Sequence, residues 1–148
     1  MRILSTNAAD QEIIALLEEW TELLTQEKYA EALDMLSSDP EQHWTPELLE
    51  SDVYGYGCPG YTREEAAREF GCADYKITSL RSSPYREQIL QKLDIERFTP
   101  KSRPEQLGIV YYDNVPLNGE MSDLTGIFFL KKVSDTTMTL EFHDLHVM

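Results

Sequence analysis

The last third of the chain constrains the fold most, because three runs rich in β-branched and aromatic residues follow one another there. The runs are LGIVYYDNVPL, TGIFFLKKV and TMTLEFHDLHV, and the turn segments NGEMSD and SDT lie between them. This spacing predicts an antiparallel meander over 107–147, with Asn118 and Gly119 as a two-residue turn. We expect this sheet to form the layer on which the rest of the chain packs.

A register carried back from the Asn118-Gly119 turn predicts which side chains face the core. The predicted cross-strand pairs are Leu117 with Glu120, Val110 with Ile127, Tyr112 with Thr125, Phe142 with Phe129, and Asp144 with Ile127. The resulting core face comprises Val110, Tyr112, Ile127, Phe129, Val133, Met138, Leu140 and Phe142, with Asp144 and His146 continuing on the same face. The opposite face, with Ile109, Tyr111, Phe128 and Leu130, is too apolar for a solvated surface, which predicts that a second layer or another subunit of a homodimer covers it.

Helical periodicity predicts that the N-terminal part of the chain packs on this sheet as helices. From Asn7 or Asp10 onward, one apolar stripe comprises Ile13, Leu16, Leu17, Trp20, Leu23 and Leu24. Further helices are predicted over 29–36, from Thr45-Pro46, and over TREEAAREF with Thr62 and Glu65 as a capping box. The segment 74–80 reads as a strand, PYREQILQKL as two or three helical turns, and DIERFTPKSRPEQ as a connecting loop. We therefore expect one α+β domain over 1–148, with the N-terminal helices on an antiparallel sheet.

The net charge of −14 is concentrated in the N-terminal helices. Residues 1–52 contain 13 acidic residues, and their only basic residues are Arg2 and Lys28. Such a surface repels nucleic acid and anionic lipid and attracts a cationic protein, so Glu18, Glu19 and Glu22 are the predicted partner-binding residues. The alternative is that the acidic face only keeps the protein soluble.

Other features of the sequence exclude several classes of protein. No apolar run approaches the length of a membrane span, and the start MRILSTNAAD has no secretory pattern, so a cytoplasmic protein, or one expressed without its leader, is expected, with no membrane segment. Cys58 and Cys72 lack metal-ligand spacing and are predicted to be two reduced thiols. His143 and His146 would point to opposite faces of a strand, so neither a metal nor another cofactor is predicted.

The order of these elements resembles the NTF2-like superfamily, which includes nuclear transport factor 2, ketosteroid isomerase and the SnoaL-type polyketide cyclases. The segments that carry the resemblance are EIIALLEEWTELLTQEKYAEALDML, YTREEAAREF and LEFHDLHVM. The resemblance implies a cystatin-like cone, in which a curved sheet surrounds a cavity that the helices close. It also implies that a ligand enters at the wide end of the cone.

A candidate site follows from the predicted register at that end. Asp144 would act as a base, and the Tyr112 phenol and the His146 imidazole would polarise a carbonyl group. The residues predicted to contact a ligand in the cone are Trp20, Tyr54, Tyr56, Phe129 and Phe142. The alternative is that polar residues at the end of a terminal strand merely reach solvent.

Two functions are consistent with these patterns. The first is a non-enzymatic binding protein that engages a cationic protein partner, as bacterial immunity proteins neutralise toxins, or a small ligand in the cone. The second is an isomerase, cyclase or hydratase that acts on a small apolar substrate. An enzyme requires an open, mostly apolar cavity with convergent polar groups, whereas a binding protein can have a filled cone.

Overall fold

The computed structural model describes residues 1–38, 41, 43–57, 61–71, 75–99 and 104–147. The helices are α1 (Asp10–Thr25), α2 (Tyr29–Asp34), α3 (Pro46–Tyr54), α4 (Arg63–Phe70) and α5 (Arg86–Lys92). The strands are β1 (Leu4–Ser5), β2 (Ser37–Ser38), β3 (Asp94–Arg97), β4 (Gln106–Tyr112), β5 (Pro116–Leu117), β6 (Glu120–Met121), β7 (Leu124–Lys132) and β8 (Thr137–Val147). Within these ranges, no helix combines the length and apolarity that a bilayer crossing requires.

Two helices begin at the caps that the sequence predicts. The Thr45 hydroxyl accepts a hydrogen bond from the Leu48 backbone N–H at 3.1 Å, and proline occupies the first position of α3, where no N–H is needed. At α4, Thr62 and Glu65 each accept a hydrogen bond from the other's backbone N–H. Gly71 ends α4 with a φ of 69°, a left-handed conformation that favours glycine.

The main sheet curls into a half-barrel against the helices, which confirms the predicted α+β class. Its strand order is β1, β8, β7, β4, β3, and β2 joins β8 in parallel. The segment predicted as a connecting loop after α5 instead contributes β3, an edge strand in which Ile95 pairs with Val110 and packs against the core. The strand β3 is only four residues long and mostly charged, so its own sequence does not predict a strand. It forms because it pairs with β4.

Three predictions from the middle of the chain have different outcomes. The helical turns predicted after Pro84 are confirmed as α5. The strand predicted over 74–80 is wrong, because the described part of that segment makes only a single bridge, between Ile77 and Leu117. Cys58, Cys72 and Asp74 lie outside the described residues, so the thiol prediction stays a prediction.

The register of the meander differs from the prediction by one residue in β7. The turn at Asn118-Gly119 and the Leu117–Glu120 pair are confirmed, but this hairpin forms a separate two-stranded sheet. The observed pairs are Val110 with Phe128, Tyr112 with Gly126, and Phe142 with Phe128, whereas Asp144 does pair with Ile127. A shift of one residue moves every side chain of a strand to the other face. Phe128 and Leu130 are therefore core residues, and Ile127 and Phe129 are on the outer face.

The helices fill the inner, concave face of the sheet. Trp20 of α1 makes an edge contact with Phe128, at a centroid distance of 5.1 Å, and contacts Phe142 at 5.6 Å. The inner-face residues of the sheet that belong to this core are Val110, Tyr112, Leu124, Phe128, Leu130, Met138, Leu140, Phe142 and Leu145. Val133, predicted to be part of this face, is exposed.

Candidate functional site

Two residues of the predicted site belong to the packed interior. Tyr112 and Trp20 are fully buried, and the Tyr112 hydroxyl lies 2.9 Å from the Thr21 hydroxyl. Burial raises the pKa of the Tyr112 phenol, and the charge of Glu18 adds to the rise, although the bond to Thr21 opposes it. Tyr112 is therefore a neutral core group bonded to α1, and it does not share a face with Asp144 and His146.

A β-bulge separates Asp144 and His146 from the inner face. Ile127 pairs with Asp144 and Phe128 with Phe142, so His143 is an extra residue in β8 that reverses the alternation of its side chains. Phe142 and Leu145 consequently face the core, while Asp144 and His146 lie on the outer face. The prediction that Asp144 and His146 continue the inward face of Phe142 is wrong for this reason.

Asp144 and His146 form a hydrogen-bonded pair at the end of β8. His146 Nδ1 lies 2.7 Å from Asp144 Oδ2, and Asp144 Oδ1 accepts a bond from the Leu145 N–H at 2.8 Å. The exposed fractions of the two side chains are 40% for Asp144 and 34% for His146. When Nδ1–H donates to the carboxylate, Nε2 is left as an acceptor on a solvent-accessible ring.

A buried carboxyl beside this pair was missed by the sequence-based prediction. Asp52 of α3 is 1% exposed, and neither of its carboxyl oxygens has a hydrogen-bond partner among the described residues. Burial, with a further contribution from the charge of Asp144, raises the pKa of Asp52 from 3.8 to about 8. The helical period could have located it, because Asp52 lies three residues after Leu49 and next to Val53, both of which are buried.

The two predicted ligand-binding tyrosines, one within α3 and one after it, make structural contacts. The Tyr54 ring lies under the Arg63 guanidinium at 4.9 Å. The Tyr56 ring packs against Tyr75 at 5.0 Å, and its hydroxyl accepts a bond from the Asp123 N–H at 3.3 Å. These contacts attach the loop after α3 to neighbouring segments.

The three acidic residues predicted to bind a partner are bonded within the chain. Glu18 is only 8% exposed and pairs with Arg86 at 2.6 Å and with Arg81 at 3.5 Å. Glu19 pairs with Arg2, and Glu22 accepts a hydrogen bond from Ser79. Glu18 therefore belongs to an internal contact between α1 and the cationic segment around α5, whereas Glu19 stays partly exposed beside Arg2.

The outer face of the sheet carries a different acidic pattern, in two cross-strand rows. One row consists of Asp94, Tyr111, Ile127 and Asp144, and the next consists of Glu96, Ile109, Phe129 and Glu141. Each row has two apolar side chains in the centre and a carboxyl group at each end. None of the four apolar side chains belongs to the core cluster or packs against it, and only Ile127 is buried. We call these eight residues the outer-face patch.

The carboxyl groups of the patch crowd one another at the β3 edge. A hydrogen bond with Asp94, together with the charge of Asp94, raises the pKa of Glu96. At the other side, Glu141 pairs with Lys131 at 2.8 Å. Phe129, predicted to contact a ligand inside the cone, instead packs on the His143 ring at 4.8 Å. A cation near Asp94 and Glu96 would relieve their repulsion.

No family model, curated protein or solved structure matches this chain. Over the described ranges, His, Cys, Asp and Glu side chains also do not form a group of three that could hold a metal ion.

Proposed function

We propose that this protein is a non-enzymatic binding protein that docks a cationic protein partner on the outer-face patch. The observation that carries the proposal is the pair of rows in which Tyr111, Ile127, Ile109 and Phe129 are bracketed by carboxyl groups. An apolar centre with a polar rim is the usual anatomy of a protein interface. The helices pack on the opposite face of the sheet, and on this face Tyr111, Ile109 and Phe129 stay partly exposed, whereas Ile127 and Glu141 are buried.

The charge of the patch indicates the class of partner. Asp94, Glu96 and Asp144 surround the apolar centre, and the chain as a whole carries −14. Such a field accelerates the approach of a cationic protein and slows that of an anionic one. Two copies of this chain would bring the same acidic rims together, so a cationic partner is favoured over a homodimer. Neutralisation of a cationic toxin by an immunity protein is one activity of this class.

The packed interior also supports binding rather than turnover. Trp20, Tyr112, Phe128 and Phe142 are all buried on the concave side, where an NTF2-like enzyme would hold its substrate. The curled sheet with helices packed on its concave face is the observation that supports membership of the NTF2-like superfamily, which we retain as part of the proposal. The packed core around Trp20 supplies a rigid support for the patch.

The test compares variants of the patch against one purified partner. A cationic protein captured from a lysate of the native host at low salt is produced in pure form, and its Kd is measured with each variant. We expect Tyr111→Ser and Phe129→Ser each to weaken binding by about 30-fold, the loss of a central aromatic anchor. Tyr54→Ser, which removes a half-buried tyrosine from α3, is the matched control and should change Kd less than about twofold.

A charge reversal tests the acidic rim separately. Glu96→Lys should slow association at low salt, and the difference should shrink as salt screens the charges. Glu64→Lys makes the same change of charge on α4 and should leave the association rate close to that of the wild type. If the captured partner binds all these variants equally, the patch is not its docking site. A homodimer that Tyr111→Ser dissociates in sedimentation experiments would assign the patch to a second copy and overturn the proposal.

A second candidate function is acid–base catalysis, and the Asp144–His146 hydrogen bond is the observation that favours it. The bond orients an accessible imidazole whose Nε2 can accept a proton. We would follow deuterium exchange at the α-carbon of cyclohexanone in D2O by NMR. Catalysed exchange that Asp144→Asn abolishes would support this function, and exchange no faster than in buffer would exclude proton abstraction from this ketone by the pair.

A further inference from the structure

A cavity of about 350 Å³ opens at the end of the concave face where β8 begins. Its lining comprises Thr6, Arg97, Phe98, Pro104, Gln106, Leu107, Lys132, Asp135 and Met138. Met138, which pairs with Lys132 across the strands, is a fully buried core residue, so the cavity reaches the apolar interior. Asp144 and His146 lie at the opposite end of β8. The cavity is therefore separate from the polar pair and from the outer-face patch.

The lining combines an apolar body with polar groups. Leu107 and Met138 belong to the core or pack against it, and Phe98 and Pro104 add further apolar surface. Gln106 and Thr6 supply polar atoms. Cavities of this size and composition are at the small end of the range that holds organic ligands.

The charge of the lining is opposite to that of the whole chain. Arg97 and Lys132 contribute two positive charges and Asp135 one negative charge, in a protein with a net charge of −14. The Arg97 guanidinium donates to the Ala8 carbonyl and to Asp10, both at 2.9 Å, and the Lys132 ammonium lies 3.1 Å from Asp135. A guanidinium has five N–H donors. These two hydrogen bonds orient Arg97 and leave other N–H groups of the guanidinium that can donate to an anion.

We propose that this cavity binds a small organic anion, with its carboxylate against Arg97 and Lys132 and its apolar chain directed toward Leu107 and Met138. The binding site is independent of partner docking on the outer-face patch. Arg97 and Lys132 are each ion-paired, with Asp10 and Asp135, and their N–H groups are donors that a carboxylate can accept from and an ammonium group cannot, which discriminates against cationic molecules of the same shape. The chain of a short fatty acid matches this arrangement of one charge and one apolar tail.

The test uses octanoate and octylammonium, which have the same chain length and opposite charges. We expect calorimetry to detect octanoate binding and to give an affinity for octylammonium at least about tenfold lower, since one attractive contact becomes repulsive. The methionine methyl signals in the NMR spectrum should include one, from Met138, that shifts with octanoate. The absence of octanoate binding at millimolar concentration, or equal binding of the two probes, would overturn the proposal.

Neighbouring lysines on β7 provide a matched pair of variants. Lys132 lines the cavity, whereas Lys131 points to the outer face and pairs with Glu141. Lys132→Gln should weaken octanoate binding by about fivefold, the contribution of a half-exposed ion pair, and Lys131→Gln should leave it unchanged. Equal effects of the two substitutions would show that octanoate senses overall charge and would contradict the assigned site. Urea unfolding of both variants confirms that each remains folded.

Discussion

Among individual residues, Asp52 has the most unusual environment, because its carboxyl group is buried without a hydrogen-bond partner among the described residues. Its pKa is raised from 3.8 to about 8 in the folded protein, so the group holds a proton at neutral pH. In the unfolded chain the same group releases its proton at a much lower pH. Stability therefore falls as the pH rises from about 4 to about 8, by up to about 1.4 kcal/mol per pH unit.

We expect Asp52→Asn to remove this pH dependence, because the amide has no proton to lose in that range. The free energy of unfolding, measured with urea at pH 4, 6 and 8, should fall less steeply for the variant, and the difference should grow by on the order of 1 kcal/mol per pH unit. Asp34→Asn, at an exposed carboxyl of α2, is the control and should follow the wild type. Parallel curves for the wild type and Asp52→Asn would show that Asp52 is already ionised at neutral pH.

For the strands, the decisive feature is the short hairpin of β5 and β6. It keeps the predicted Leu117–Glu120 pair, yet it folds as a separate sheet between β4 and β7. The register of the hairpin therefore does not extend to the long strands, whose pairing places Val110 opposite Phe128. Burial of Phe128 rather than Phe129 follows from this single-residue difference.

The neighbouring phenylalanines of β7 test that register. Phe128→Ala should lower the free energy of unfolding by about 3–5 kcal/mol, because it empties a packed position against Trp20. Phe129→Ala removes a half-exposed ring from the outer face and should cost only about 1 kcal/mol. Urea unfolding of the two variants gives both values. Equal losses, or a larger loss for Phe129→Ala, would mean that the register is not the one described.

In the whole molecule, the segment around α3 attaches the helices to the end of β8. The Trp44 indole N–H donates to the His143 carbonyl at 3.1 Å, and the Trp44 ring packs on Phe142 at 4.7 Å. Gly57 lies so close to β8 that a Cβ atom there would be 2.9 Å from the His146 Cα. This close approach holds the helical layer beside the Asp144–His146 pair.

We expect Gly57→Ala to weaken this attachment for two reasons, the positive φ and the lack of space. Gly119 has the same φ of 81°, but a Cβ atom there would have no atom of the described residues within 4 Å, so Gly119→Ala reports the backbone cost alone. Gly57→Ala should therefore be less stable than Gly119→Ala by about 1–3 kcal/mol, the usual cost of overpacking. Thermal and urea unfolding measure the difference. Equal stability would show that α3 and β8 separate without cost.

Local features of the sequence determined the helices, their caps and the three long strands. The Thr45 and Thr62 caps and the Asn118-Gly119 turn depend on neighbours within a few residues, and for that reason they could be predicted. The local pattern also predicted that Asp144 and His146 lie at the end of β8, and there they do form a hydrogen-bonded pair. It predicted the wrong face for them, because the bulge at His143 depends on how β7 pairs with β8.

Tertiary structure alone decided which faces of the strands are buried, whether β3 exists, and where the cavity lies. These features depend on contacts between residues that are far apart in the chain, such as Ile95 with Val110. A cross-strand pairing can slip by one position with no change in the local sequence pattern, and each slip reverses the inner and outer faces. The acidic rows of the outer-face patch and the cavity beside Arg97 and Lys132 both depend on that register. The local sequence pattern therefore could not predict either of them.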